Sequence, residues 1–77
     1  MGTQRYYIHY FDGALLHEDL DGFYFPDEAS ARHAAIVAGR AMIENDRAFI
    51  RLQRESGGDI MVVRRDGFSS DRVGAEP

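Results

Sequence analysis

The segment FPDEASARHAAIVAGRAM, residues 25–42, decides the fold. Pro26 cannot donate to a ladder of strand hydrogen bonds, so it ends any strand that precedes it. Asp27 carries the short acidic side chain that helix N-caps prefer. Glu28 then places a negative charge near the positive end of the helix dipole. The pattern predicts a helix that begins at about Glu28.

Small side chains repeat along this helix at the spacing of one buried stripe. The members of the stripe are Ala31, Ala35, Ala38 and Met42, widened by Ala34 and Ala41. Such a stripe allows the helix axis to lie close to a sheet. Ile36 and Ile43 lie about 120° to 140° from the stripe, so we expect them to be exposed. They meet either a neighbouring loop or a second copy of the chain.

Residues 5–11, RYYIHYF, predict the first strand, which the Asp12-Gly13 turn ends. A period of two places Tyr6, Ile8 and Tyr10 on one face. The opposite face carries Tyr7, His9 and Phe11. Because both faces are largely apolar, we expect a central strand, or a strand with one face on the helix and the other on a partner chain.

The rest of the chain contains further strand signals. Residues 14–16 predict a short second strand and residues 22–25 an aromatic third one. Residues 45–55 are ambiguous, because Phe49 and Leu52 continue a helical spacing while Ala48, Ile50 and Leu52 alternate as in a strand. We expect a continuing or restarted helix there. Residues 60–63 predict a strand closed by a second Asp-Gly turn, and residues 68–73 an edge strand.

The fold class predicted from these elements is α+β, in the order β-(β)-α-β-(β). A short antiparallel sheet packs on one Ala-rich helix. With 77 residues, the chain supports a single domain, residues 1–77, with an ordered core at about 4–68 and a frayed tail at 74–77. A domain of this size buries only about 60% of the surface that its unfolded chain exposes, so association would stabilise it.

Composition excludes several classes of protein. The chain has no cysteine, which rules out disulfides and cysteine-based zinc sites or nucleophiles. It has no apolar run of membrane-spanning or signal-peptide length, so we expect a cytoplasmic protein. The net charge is −4, and no basic block is present. Such a chain is a poor binder of phosphate backbones, and we expect no nucleic-acid partner.

No pattern of catalytic or metal-binding residues emerges. His17, Asp19, Asp21 and Glu28 fall at calcium-loop spacing, but imidazole is a wrong ligand for calcium and no helix precedes the loop. The histidines lack zinc-site spacing. His9 lies in the middle of a strand, among aromatic residues. The ordinary interpretation is a structural histidine whose ring nitrogens are hydrogen-bonded. The alternative is a buried group that can take up a proton. We therefore expect no enzyme, no metal and no cofactor.

Several motifs together resemble a known family. They are Arg5-Tyr-Tyr-x-His9-x-x-Asp12-Gly13, Asp19-x-x-Gly22-x-x-Phe25-Pro26-Asp27 and Ala31-Arg32-x-x-Ala35. Over residues 5–67 the chain resembles short uncharacterised bacterial proteins that open with RYYFHL-x-DG and enter their helix through LPD. The resemblance implies a small α+β fold and no established activity. The chain departs from the pattern after Asp66-Gly67, where such proteins continue with an apolar strand and this one is polar.

A weaker, mainly topological resemblance is to HicB-like antitoxin domains, which pair a Tyr-rich strand with an Ala-rich helix. We expect a non-enzymatic interaction or regulatory module that self-associates, either through a sheet edge or through the face of Tyr7, His9 and Phe11. The alternative is a HicB-like antitoxin-type partner that masks a small toxin. The expected partner is a second copy or another protein, with no membrane. The candidate interaction surface consists of Tyr7, His9, Phe11, Ile36 and Ile43.

Overall fold

The computed structural model describes residues 3–70, which form one antiparallel sheet and one helix. The elements in chain order are β1 Gln4–Phe11, β2 Leu16–His17, β3 Phe23–Phe25, α1 Glu28–Met42, β4 Phe49–Arg54, β5 Asp59–Arg64 and β6 Gly67–Ser70. The predicted α+β class is confirmed. The predicted tail at residues 74–77 lies outside the described residues, as do positions 71–73 of the predicted last strand.

The sheet is built around β1. Its strand order is β2-β1-β4-β5-β6, and β3 pairs with β1 along the same edge as β2. One edge of β1 therefore pairs with β4 over six residues, from Tyr6↔Arg54 to Phe11↔Phe49. The other edge pairs with β3 near its start and with β2 near its end. This confirms the prediction that β1 is a central strand.

The helix begins where the sequence predicts. The backbone of Asp27 is extended, and its side chain accepts a hydrogen bond of 2.8 Å from the N–H of Ser30. Glu28 opens the helix and forms ion pairs with Arg32, one turn on, and with Arg54 of β4. Two hydrogen bonds from Arg32 lower the pKa of the Glu28 carboxyl.

The buried stripe of α1 differs from the predicted one towards the end of the helix. Ala31, Ala35 and Gly39 are buried, whereas Met42 is 41% exposed. The spacing is thus i, i+4, i+8, because α1 crosses the sheet along this line of small residues. Only a residue without a side chain fits at the third position. A β-carbon on Gly39 would lie 2.6 Å from Cγ1 of Val63 in β5.

Residues 49–54 form a strand, so the prediction of a helix at 45–55 was wrong. The alternation of Ala48, Ile50 and Leu52 prevailed over the helical spacing because all three side chains are buried, and Ile50 and Leu52 share the core cluster with Ala31 and Ala35 of α1. The helix ends at Met42 with Ile43 as its C-cap, and the side chain of Asn45 then accepts hydrogen bonds from the N–H groups of Arg47 and Ala48. These two bonds stabilise the turn that leads the chain into β4.

Gly39→Ala is expected to lower the free energy of unfolding by about 1–2 kcal/mol. Alanine normally stabilises a helix interior by about 1 kcal/mol over glycine, but overpacking against a stiff β-branched side chain costs about 1–3 kcal/mol. Urea denaturation followed by circular dichroism measures the difference.

The matched control is the same change in a Val63→Ala background, where the obstructing methyl groups are absent. There Gly39→Ala should be neutral or stabilising. Equal losses in both backgrounds would contradict the close approach of α1 and β5.

Candidate interaction face

Among residues 3–70, no helix or second sheet packs on one face of the sheet, although the loop at Asp19 reaches His9 on that face. Helix α1 packs on the side chains of Tyr6, Ile50, Leu52, Met61 and Val63. Because side chains alternate along strands, their neighbours point to the other side. We call this second surface the open face. Its central members are Tyr7, His9, Phe11, Phe49, Arg51, Gln53, Asp59, Val62 and Arg64.

Strand pairing arranges the open face in three rows across β1, β4 and β5. The first row is Tyr7, Gln53 and Asp59; the middle row is His9, Arg51 and Val62; the last row is Phe11, Phe49 and Arg64. A register shift in β5 opposite Leu52 and Gln53 aligns Asp59 with the first row. The rows follow from backbone hydrogen bonding.

Aromatic rings form the apolar part of the open face. The rings of Phe11 and Phe49 lie 5.2 Å apart between centroids, and those of Tyr7 and His9 are stacked at 6.2 Å. Leu16 of β2 is paired with Phe11 and extends the last row towards the sheet edge. It is 46% exposed. The phenylalanine and tyrosine rings are half-buried, so each retains apolar surface facing outward.

Charges are distributed unevenly between the two ends of the open face. Arg64 lies in the last row, with its guanidinium 5.2 Å from the ring centre of Phe49. Asp59 lies in the first row. Beyond the first row, Arg5 donates a 3.0 Å hydrogen bond to Glu55, which raises the pKa of Arg5 above its ordinary value. The last-row end is therefore cationic, whereas the first-row end carries the carboxylates of Asp59 and Glu55 together with the guanidinium of Arg5.

Arg51 lies in the middle row and is incompletely paired. Its Nε atom lies 3.8 Å from an oxygen of Asp59, beyond hydrogen-bond distance. The same Nε is buried and has no hydrogen-bond partner within the described part of the chain. The centre of the open face thus carries a cationic group with an unsatisfied donor.

His9 is only 8% exposed, and both its ring nitrogens are occupied. Nδ1 accepts a hydrogen bond from the backbone N–H of Asp19, and Nε2 lies 3.0 Å from Oε1 of Gln53. The amide nitrogen of Gln53 donates to Gly57 and Asp59, which orients its oxygen towards His9. Nδ1 can therefore carry no proton, and Nε2 is the donor.

Asp19 closes the edge of β1 between β2 and β3. Its two carboxylate oxygens accept hydrogen bonds from the N–H groups of Ile8 and Gly22. Asp19 thus acts as a bridge between the loop and β1. Glu28, at the twelfth position of the calcium-like spacing, is paired with arginines instead. Within residues 3–70, no three metal-ligating side chains are grouped.

The structure separates the five predicted surface residues into two places. Tyr7, His9 and Phe11 share the open face, whereas Ile36 and Ile43 lie on the helix side of the sheet. Both isoleucines are half-buried against the core, so the expectation that they are exposed was wrong. They line a groove of about 390 Å³ between α1 and β6. Phe68 stands at the rim of that groove and is exposed.

The contributions of β4 and β5 to the open face were not predicted from the sequence. Phe49 and Arg51 were assigned to a helix, and Arg64 was not placed on any face. The available signal was the burial alternation of Ile50 and Leu52, which places Phe49 and Arg51 on the opposite side of a strand. Once β4 is a strand, its pairing with β1 brings Phe49 beside Phe11.

The fold and the open face define a small two-layer α+β domain with an uncovered sheet surface. The chain belongs to the family of domains of unknown function DUF6894, whose model matches residues 5–67. No curated protein matches the chain, and no solved structure does. No helix within residues 3–70 is long and apolar enough to cross a membrane.

The hydrogen bonds of His9 predict a single neutral tautomer. In a ¹H–¹⁵N correlation spectrum of the side-chain nitrogens at about pH 8, where an ordinary histidine is neutral, His9 should show a protonated Nε2 and an unprotonated Nδ1. Exposed His33 is the internal control, because a solvent-exposed imidazole exchanges between tautomers. A proton on Nδ1 of His9 would contradict the bond from Asp19.

The hydrogen bonds of Asp12 predict that its carboxylate stabilises the folded protein, and that this stabilisation is lost in acid. A hydrogen bond from His17, then bonds from the N–H groups of Leu15 and Ala14, lower the pKa of the Asp12 carboxyl from 3.8 to about 2. Because the pKa is lower in the folded state, the stabilisation is complete above 3.8 and is lost as the pH falls towards 2.

Asp12→Asn should therefore flatten the fall in unfolding free energy between about pH 5 and about pH 2.5. Urea denaturation at several pH values measures this slope. Asp21→Asn is the matched control, since Asp21 is exposed and makes no hydrogen bond within the described residues. Parallel slopes for wild type and Asp12→Asn would contradict the assignment.

Proposed function

We propose that the protein is a non-enzymatic interaction module that self-associates through its open face. The observation that supports this is the uncovered sheet surface, on which Tyr7, Phe11, Phe49 and Val62 are half-buried side by side. An antiparallel sheet normally presents a polar face to water, whereas this face presents aromatic and aliphatic side chains among its charged ones. A second copy supplies the missing layer.

The energetics favour association of modest strength. Each aromatic ring offers up to about 150–250 Å² of surface, part of which is already buried within the chain. The open face is about five strands wide, or roughly 20 Å, and about as long. Its flat area of roughly 400 Å² is below the 800 Å² per partner of a standard interface. We therefore expect a dissociation constant in the micromolar range or weaker.

The polar groups beside the open face already form hydrogen bonds within the chain, which supports a non-enzymatic role. The nitrogens of His9 bind Asp19 and Gln53, and the carboxylate of Asp19 binds two backbone N–H groups. A general base needs a free lone pair aimed at a substrate. These groups instead hold the loop and the strands together.

The alternative is an antitoxin-type protein whose open face is masked by a small toxin. The net charge of −4 favours a basic partner. The two functions differ in what covers the face when the chain is alone: a second copy in the first case and nothing in the second.

Sedimentation equilibrium from about 1 µM to about 500 µM tests the proposal. Wild type should pass from monomer to dimer over this range. Phe11→Glu, which places a charge in the last row, should weaken dimerisation at least about tenfold. Leu16→Glu is a second variant at an exposed position of the same face and should act in the same direction.

Val37→Glu is the control, because Val37 is 48% exposed on α1, away from the open face. It should dimerise as wild type does. A wild-type monomer throughout the range would overturn self-association and favour the antitoxin-type alternative. A dimer that Val37→Glu disrupts and Phe11→Glu leaves intact would place the interface elsewhere.

A further inference from the structure

We propose that two copies pair open face to open face about a two-fold axis that crosses the strands, so that Arg64 of each copy meets Asp59 of the other. The inference rests on the proposed self-association and specifies its geometry. It follows from the rows of the open face and from the distribution of charge between its ends.

The three rows determine what a two-fold rotation brings together. Successive rows lie about 6.8 Å apart, which is the rise of two residues along a strand. An axis through the middle row, perpendicular to the strands, places each strand on its own copy with reversed direction. The first row of one copy then lies on the last row of the other.

The strands β5 and β1 gain compatible contacts in this arrangement, whereas on β4 Phe49 faces the partner copy's Gln53. On β5, the cationic Arg64 faces the carboxylate of the partner copy's Asp59. On β1, the ring of Phe11 faces the ring of the partner copy's Tyr7, an aromatic pair of the kind that stabilises interfaces. The two-fold axis generates every contact twice, so one dimer contains two ion pairs and two ring contacts.

The other face-to-face arrangement lacks these contacts. An axis parallel to the strands keeps the rows in place and reverses the strand order. With β4 at the centre, Arg64 would face the partner copy's Phe11 and Asp59 would face the partner copy's Tyr7. Neither charge would face an opposite charge directly: Arg64 would gain only a ring contact, and the cation nearest to Asp59 would be the partner copy's Arg5, whose guanidinium lies 5.7 Å from the ring centre of Tyr7. The distribution of charge therefore selects the axis across the strands.

Arg51 gives an independent prediction, in which the removal of a charge strengthens the dimer. It lies in the middle row, on the axis, so the two copies bring their Arg51 side chains together. The Nε of each has no hydrogen-bond partner and lies 3.8 Å from its own Asp59. Like charges at close range repel. Removing this charge should strengthen the dimer, whereas removing Arg64 should weaken it.

The test is a charge exchange between Asp59 and Arg64, measured by sedimentation equilibrium of the full chain. Asp59→Arg alone brings two arginines together at each contact, and Arg64→Glu alone brings two carboxylates together. Each should weaken its homodimer at least tenfold. An equimolar mixture of the two variants should form a heterodimer, since every contact in it joins opposite charges. Native mass spectrometry identifies that species.

Two further variants complete the experiment. Arg51→Gln should tighten dimerisation about threefold or more. Arg47→Glu is the matched control for Arg64→Glu, because it makes the same change of charge at an exposed turn outside the open face, and it should leave dimerisation unchanged. Circular dichroism verifies that each variant is folded. Asp59→Asn, which retains an amide acceptor for Gln53, replaces Asp59→Arg if that variant is unfolded, and it should weaken dimerisation in low salt.

The outcomes separate the inference from the proposed function. A preferred heterodimer supports the two-fold axis across the strands, and a tighter Arg51→Gln dimer supports a face-to-face dimer centred on the middle row. A wild-type dimer that Phe11→Glu disrupts, but whose charge variants show no heterodimer preference, overturns this axis and leaves self-association through the open face intact. A wild-type monomer at every concentration overturns both.

Discussion

The pairing of β1 with β4 is the interaction on which the rest of the structure depends. It joins residues 38 to 48 positions apart through six residue pairs. The alternation that it imposes aligns Ile8 with Leu52 beneath the helix and Phe11 with Phe49 on the opposite side. The core and the open face are therefore two consequences of one register. A slip of one residue would exchange them.

The helix can cover only one of the two sheet faces that this register creates. Its line of Ala31, Ala35 and Gly39 lets the helix approach the sheet closely, and the bulk of the core comes from the strands. A single 15-residue helix covers one face. The aromatic side chains on the other face are left half-buried, and their burial by a second copy, as proposed, would add to the stability of a chain of this size. The proposed self-association follows from that imbalance.

Polar side chains at the outer edge of β1 stabilise the fold through hydrogen bonds to backbone N–H groups. Asp19 accepts hydrogen bonds from two backbone N–H groups, and its own N–H binds His9. Without that bridge, the middle of the outer edge of β1 would present unpaired backbone donors between β2 and β3. The acidic loop, which in sequence resembles part of a calcium site, thus acts as an edge closure.

The sequence by itself determined the start of the helix, the first strand and its two faces, and the later strand around Ile60–Val63. These depend on neighbours within a few residues: a cap side chain, a proline, or an alternation of period two. Tertiary structure alone decided that residues 49–54 form a strand, because Ile50 and Leu52 gain more from burial between β1 and β5 than from one more helical turn. It also decided that Gly39 ends the buried stripe, where α1 meets Val63. Tertiary structure alone also decided the three rows of the open face, because their members come from strands that only long-range pairing brings together.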